Sequence, residues 1–90
     1  MDVEDPTNPA GAARLLNRAI HREGSSTATI ATALGHIARA RGVSQTAREI
    51  GMTRAGIQRS LRLDGDPRLS TVLRLLRAYG VELSFRRRQA

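Results

Sequence analysis

Cysteine is absent from this 90-residue sequence, so disulfides and thiolate metal sites are excluded. Aromatic residues are scarce: Tyr79 and Phe85 are the only two, so the core must be built from Leu, Ile, Val and Ala. No apolar run approaches the roughly 20 residues of a membrane-spanning helix, and no signal peptide is visible. We therefore expect a cytoplasmic protein that does not enter a membrane.

Lysine is also absent, and all fifteen basic residues are arginine, which gives a formal net charge of +7. Residues 1–13 carry three acidic residues and no basic one, whereas residues 14–90 carry fifteen arginines and five acidic residues. The strongly positive charge of residues 14–90 attracts polyanions. Charge alone does not distinguish between DNA, RNA and an anionic membrane. Residues 1–10 are predicted to be a flexible acidic arm and residues 87–90 a basic tail.

Apolar residues recur at helical spacing in residues 11–86, which we interpret as a single, mainly α-helical domain. The pattern predicts five helices, over about 10–23, 27–41, 45–50, 54–62 and 71–79, separated by glycines. Ser44, Thr53 and Ser70 are predicted to cap the last three. The expected buried stripes of the three longer helices are Ala12, Leu15, Leu16 and Ala19; Ile30, Leu34, Ile37 and Ala38; and Val72, Leu75, Leu76 and Tyr79.

The apolar period changes from 3.6 to 2 after Gly80. Val81, Leu83 and Phe85 alternate with polar residues, which predicts one short β-strand over about 81–86. Because no second strand pattern exists in the chain, this strand should pair across a homodimer or with another protein.

Residues 44–62 have the residue spacing of a helix-turn-helix. Ala47 is small enough for two helices to approach closely, and Gly51 can take the left-handed backbone of the turn. The apolar residues that should then face the core are Ile50, Met52, Ile57 and Leu61. A plain helical hairpin inside a bundle is the alternative.

The outer face of the second of these helices is polar and basic. Arginine can bond guanine, and glutamine adenine, through two hydrogen bonds each in the major groove. We expect Arg54, Gln58 and Arg59 to read bases of double-stranded DNA, and the neighbouring polar residues to hold phosphates. The predicted DNA-binding residues are Ser44, Gln45, Thr53, Arg54, Ala55, Gln58, Arg59 and Arg62.

Nothing in the sequence indicates catalysis, a cofactor or a metal. His21 and His36 are fifteen residues apart without further ligands nearby, and Asp64 and Asp66 flank Gly65 as turn residues rather than as a calcium loop. No serine is grouped with a histidine and an acid. We expect a binding protein rather than an enzyme.

The segments "ALGHIARARGVSQTAREIGMTRAGIQRSL" and "GDPRLSTVLRLLRAYGVELSF" resemble the addiction-module antidote proteins, a HigA-like class of bacterial antitoxins with a Cro-type (lambda-repressor-like) helix-turn-helix. The resemblance covers roughly residues 28–85. Asp66 stands where asparagine is usual in that family, and Ala55 and Gln58 stand where an acidic residue and tyrosine are common. The last two lie on the expected reading face, so the DNA target should differ.

The resemblance implies an antitoxin that neutralises a RelE/ParE-like toxin and represses its own operon. Such toxins are usually basic, so the toxin should avoid the arginine face. We predict that the acidic arm and the first helix carry the toxin contact, through Asp2, Glu4, Asp5, Leu15, Arg18 and Arg22. A stand-alone repressor without a toxin and a protein-interaction bundle that never binds DNA are the alternatives.

Overall fold

The computed structural model describes residues 2–22 and 24–88. Within them the chain forms five helices: α1 (Pro9–Ile20), α2 (Thr27–Arg41), α3 (Val43–Ile50), α4 (Arg54–Ser60) and α5 (Leu69–Ala78). All five helices expected from the apolar pattern are present. α1 packs chiefly against α2, whereas α3 contacts α2, α4 and α5. α3 therefore lies at the centre of the contacts among the last four helices.

The first two long helices begin at side-chain caps. Asn8 caps α1 by accepting a hydrogen bond from the backbone N–H of Gly11 at 2.9 Å, and Pro9 occupies the first turn, where no N–H is needed. Ser26 begins α2 in a capping box with Thr29. These caps satisfy backbone donors that the helices cannot satisfy themselves.

Two predicted caps are wrong. Ser44 does not cap α3, which begins at Val43 without a side-chain cap, because Gly42 both ends α2 and precedes α3. This glycine has a φ of 109°, so a single residue turns the chain between the two helices. Ser70 does not cap α5, which begins at Leu69 after Arg68. Both serines lie within the first turn of their helix.

The core is built from small and aliphatic side chains around one tyrosine. Tyr79, the last residue of the predicted α5 stripe, is 1% exposed, and Leu34, Ile37 and Leu75 are fully buried. Predicted stripe residues of α1 beyond Ala12 are only partly buried against this core. Ile30 of α2 and Val72 and Leu76 of α5 are also only partly buried. The sequence pattern therefore identified the centre of the core and overestimated the burial at its margins.

Tyr79 joins α5 to α2 in two ways. Its hydroxyl donates a buried hydrogen bond to the carbonyl oxygen of Leu34 at 2.9 Å. The guanidinium carbon of Arg41 lies 5.4 Å from the centre of the Tyr79 ring, within the range of a cation–π contact. Arg41 also forms an ion pair with Glu49 of α3 at 3.0 Å. These contacts connect α2, α3 and α5 at one point.

The predicted strand over 81–86 does not form in this single chain. Residues 81–88 have no regular secondary structure, and within the described residues the last backbone hydrogen bond runs from Val81 N–H to the Leu76 carbonyl at 3.0 Å. A strand needs a neighbouring strand for its alternate N–H and C=O groups, and the described chain offers none.

Replacing Tyr79 with phenylalanine tests the hydrogen bond between Tyr79 and the Leu34 carbonyl, which joins α5 to α2. We expect Tyr79→Phe to lower the free energy of unfolding at pH 7 by about 1–2 kcal/mol, because the buried hydrogen bond is lost while the ring remains. Burial raises the pKa of Tyr79 well above its ordinary value of 10.0. The unfolded tyrosine would then ionise first, so the hydroxyl's contribution is complete below about pH 10 and lost above it.

Urea denaturation followed by circular dichroism at several pH values would measure both effects. The wild-type protein should lose stability more steeply than Tyr79→Phe as the pH rises through about 10. Tyr79 is the only tyrosine, so the absorbance of tyrosinate reports on this side chain alone. An equal alkaline loss in the two proteins would mean that the hydroxyl does not control it.

Candidate nucleic-acid interface

The α3–α4 pair is built around the turn predicted from its glycine. Gly51 follows α3 in the left-handed conformation, with φ 72° and ψ 34°. The backbone N–H of Met52 donates to the Ala47 carbonyl at 2.9 Å and completes the turn. Ala47 is 4% exposed, as expected for a residue where two helices meet. A left-handed residue after a helix satisfies its last carbonyls and redirects the chain.

α4 begins at the predicted cap. Thr53 accepts a hydrogen bond from the backbone N–H of Gly56 at 2.9 Å. Ile57 and Leu61 are then buried, and Met52 packs half-buried against the same core. This fixes the rotation of α4, so its other side must face solvent.

Most of the side chains predicted to bind DNA lie on the outward side of α4 or just beyond its ends, and the other two, Ser44 and Gln45, lie in the first turn of α3. All of the predicted residues are exposed except Ser44, which is half-buried: the exposed ones are Gln45, Thr53, Arg54, Ala55, Gln58, Arg59 and Arg62. Among described residues, Arg54 and Arg59 form no ion pair, which leaves both guanidinium groups available.

The structure brings two of these residues together across the turn. A guanidinium nitrogen (Nη1) of Arg54, at the start of α4, donates to the hydroxyl of Ser44, near the start of α3, at 3.3 Å. The contact places both side chains at one end of the α3–α4 pair. Both are donors to phosphate oxygens, so a single phosphate could lie against them.

Two other residues predicted to bind DNA contact carboxylates of the chain itself. Gln45 donates through Nε2 to Glu49 at 3.1 Å, and Arg62 pairs with Asp64 at 2.8 Å. The side chains of Arg62 and Asp64 are 62% and 77% exposed. An ion pair this exposed contributes about 0–1 kcal/mol, so Arg62 can exchange its partner for a phosphate at little cost.

Arg39 is a basic residue beside this face that sequence reasoning missed. It lines a cavity of about 260 Å³ between α2 and α4, together with Gln58 and Arg62. α4 comes this close because Gly35 has no side chain: a Cβ there would lie 3.0 Å from the Leu61 carbonyl oxygen. Gly35 and Arg39 are four residues apart and share one face of α2, but the sequence does not show that this face meets α4.

The residues predicted to contact a toxin fall into two separate groups. Asp2, Glu4 and Asp5 lie in hydrogen-bonded turns before α1, where Glu4 pairs with Arg14 at 3.5 Å. Hydrogen bonds from Thr7 hold the pKa of Asp5 below its usual value. The acidic charge of this segment is thus partly satisfied within the segment and by α1.

The second group lines a groove between α1 and α2. Leu15, Arg18 and Arg22 border a cavity of about 630 Å³, which His36 of α2 and Leu63 also line. We name it the α1–α2 groove. Leu63 is 73% exposed, an apolar side chain that sequence reasoning did not single out. The acidic group does not line this groove.

Residues 2–22 and 24–88 contain no group of three or more histidine or acidic side chains placed to hold an ion. None of the helices found there has both the length and the apolar character needed to cross a bilayer.

A family model described as "Probable addiction module antidote protein" matches residues 8–87. The chain belongs to this family. The match covers all five helices and most of the C-terminal segment, so the predicted antidote resemblance is confirmed at the level of the family.

A similar curated protein comes from Haemophilus influenzae and is described as an "Uncharacterized protein". It is 42% identical over 53 residues, which is 59% of this chain and 55% of the relative. The chain therefore spans about half the length of that relative. No solved structure matches the chain.

Substitutions at Gly51, in the α3–α4 turn, test its left-handed backbone, and Gly65, after α4, provides a steric comparison. An added Cβ at Gly51 meets nothing within 4 Å, so Gly51→Ala should cost only its backbone strain, about 1 kcal/mol of unfolding free energy. Gly51→Asn should cost less, because asparagine adopts left-handed conformations more readily. Gly65→Ala should cost more than either, because its Cβ would overlap the Ser60 carbonyl.

Chemical denaturation of the three variants would give this order. A Gly51→Asn protein that is no more stable than Gly51→Ala would show that the left-handed backbone is not what the turn requires.

Proposed function

We propose that this chain is the antitoxin of a type II toxin–antitoxin system. It binds and neutralises a RelE/ParE-like toxin, and it represses its own operon by binding promoter DNA through a Cro-type helix-turn-helix. It acts by binding and not by catalysis. The observation that carries the proposal is the α3–α4 pair, with its left-handed Gly51 and exposed basic face, in a chain that belongs to an antidote family.

The DNA-binding part rests on the geometry of α4. The exposed side of this helix carries Arg54, Gln58 and Arg59, whose donors and acceptors match base edges in the major groove. Ala55, also exposed, is small enough to contact a thymine methyl group. An α4 inserted with its N-terminus first would present these side chains in turn.

Phosphate contacts would come from around the turn and from both ends of the pair. Ser44 and Arg54 are already joined at 3.3 Å, and Thr53 keeps its hydroxyl hydrogen free while its oxygen caps α4. Arg39 adds a cation beside Arg62. Phosphate contacts set the position of the protein on the DNA and the salt dependence of its affinity, while α4 supplies the sequence preference.

Two copies of the chain would act together on a palindromic operator. A symmetric dimer places two recognition helices about 34 Å apart, one turn of B-DNA. The toxin would bind on the α1 side, through the acidic segment before α1 and the α1–α2 groove, where Leu15, Arg18 and Arg22 lie. That arrangement keeps the DNA face and the toxin face on different helices.

Gln58→Ala tests base reading. We expect it to lose about 1–3 kcal/mol of operator affinity and to relax preference at one base pair, because a bidentate contact is removed. Binding to an operator and to its single-base variants would be measured by fluorescence anisotropy. Arg62→Ala is the matched control, which should weaken binding to every sequence alike and lower the salt slope by about 1.

Equal losses for Gln58→Ala on operator and on random DNA would contradict base reading. Weak binding without any preferred sequence would favour the protein-interaction alternative, since electrostatic attraction alone gives that result.

A growth assay tests the antitoxin half. The small reading frame immediately upstream should arrest growth when expressed alone, and co-expression of this chain should restore growth. Co-expression with a chain that carries Gln58→Ala should restore growth equally, because the toxin contact does not involve α4. A harmless upstream frame would reduce the proposal to that of a stand-alone repressor.

A further inference from the structure

The C-terminal segment of residues 81–88 ends the chain with its backbone unpaired. Within the described residues, 82–88 form no backbone hydrogen bond. Leu83 is 46% exposed and Phe85 is 91% exposed, so one of the two aromatic side chains in the protein lies almost entirely in solvent. Side chains two apart along an extended chain lie on one face. If extended, residues 81–86 would therefore have an apolar odd-numbered face and a polar even-numbered face.

The odd-numbered face adjoins an apolar cavity. Val81 and Leu83 form one wall of a space of about 300 Å³ between α1, α2 and α5. Leu69, which lines this cavity, is 67% exposed, and Leu73 farther along α5 is 45% exposed. A paired strand that followed Val81 and Leu83 would cover this apolar surface, and a two-stranded ribbon needs such a helical support to be stable.

We propose that a second copy of this chain pairs antiparallel with residues 81–87, with the twofold axis at Ser84. Glu82 then lies opposite Arg86 of the second copy, and Leu83 lies opposite Phe85 of the second copy. Each pair occurs twice by symmetry. Opposite charges and aromatic–aliphatic pairs placed directly across two strands stabilise a sheet. Ser84, small and polar, faces itself at the axis.

The side-chain pattern selects this register over its neighbours. If the twofold axis passed between two residues, each odd-numbered residue would lie opposite an even-numbered one. Apolar side chains would then pair with polar ones, so this register is excluded. An axis at Leu83 sets Glu82 opposite a serine, and one at Phe85 sets Leu83 opposite Arg87. Parallel pairing would align the three terminal arginines with their own copies, which is repulsive. Only the axis at Ser84 sets Glu82 opposite an arginine and also sets Leu83 opposite Phe85; it leaves Val81 opposite Arg87, at the end of the paired segment.

The occupant is a second copy rather than an unrelated strand because the segment is complementary to itself. Its single acid and its arginine run lie on opposite sides of Ser84. The apolar residues on its odd face continue onto the exposed leucines of α5. An isologous contact needs such self-complementarity. The dimer of the proposed function is thereby given a defined contact, and this inference rests on that dimer alone.

Cysteine scanning tests the register in the full chain, which has no native cysteine. Residues directly opposite in an antiparallel pair have Cα atoms about 4.5–5.5 Å apart, within disulfide range. We expect Ser84→Cys to form a disulfide-linked dimer faster than Leu83→Cys. Ala40→Cys, at an exposed position on α2, gives the background rate of random collision.

Charge exchange tests the Glu82–Arg86 pair. Glu82→Arg and Arg86→Glu each place like charges opposite one another twice. We expect each to raise the dimer dissociation constant by about five- to tenfold, measured by sedimentation equilibrium. The double variant Glu82→Arg with Arg86→Glu restores opposite charges and should return close to the wild-type constant. Arg87→Glu is the control, because its side chain has no carboxylate opposite it.

Faster crosslinking of Leu83→Cys, or a double variant no tighter than the single ones, would overturn this register while leaving a dimer intact. A chain that remains monomeric at every concentration would overturn the pairing itself. Operator binding and growth rescue are measured separately, so failure here is distinguishable from failure of the proposed function.

Discussion

The hydrogen bond from Tyr79 to the Leu34 carbonyl, at 2.9 Å, is the contact on which the arrangement of the helices depends. A chain with two aromatic residues and otherwise aliphatic core side chains has few large groups with which to fix helix positions. Tyr79 fills the centre of the core with its ring and sets the height of α5 against α2 with its hydroxyl. A directed bond supplies what non-directional apolar contact cannot.

Charged side chains link the same tyrosine to Gln45, on the face proposed to bind DNA. Arg41 lies over the Tyr79 ring and pairs with Glu49, and Glu49 accepts a hydrogen bond from Gln45. Each step is short, and Arg41 is largely shielded from solvent, so it is weakly screened by salt. A cation–π contact, an ion pair and a hydrogen bond therefore connect the core of the domain to the start of α3. The position of Gln45 depends in this way on how Tyr79 packs.

The helices and their buried stripes were predicted from the apolar period of 3.6 residues. The turn was predicted from Gly51, because glycine readily adopts a left-handed backbone conformation. Both signals are local in the sequence. The caps at Ser44 and Ser70 were wrong because helix starts were decided by the neighbouring residues, Gly42 and Arg68. The strand depends on a partner that a single chain does not contain. The position of Arg39 beside α4 follows from how closely α2 and α4 approach, which side-chain spacing within one helix does not specify.

The one-residue connection at Gly42 has a consequence for how two binding surfaces influence each other. α1 packs chiefly against α2, and α2 is coupled to α3 across a single glycine. A ligand in the α1–α2 groove that favours one angle between α2 and α3 would favour the same angle on the face proposed to bind DNA. Thermodynamic linkage makes this reciprocal: a ligand on that face that selects a particular angle would change affinity at the groove by the same factor.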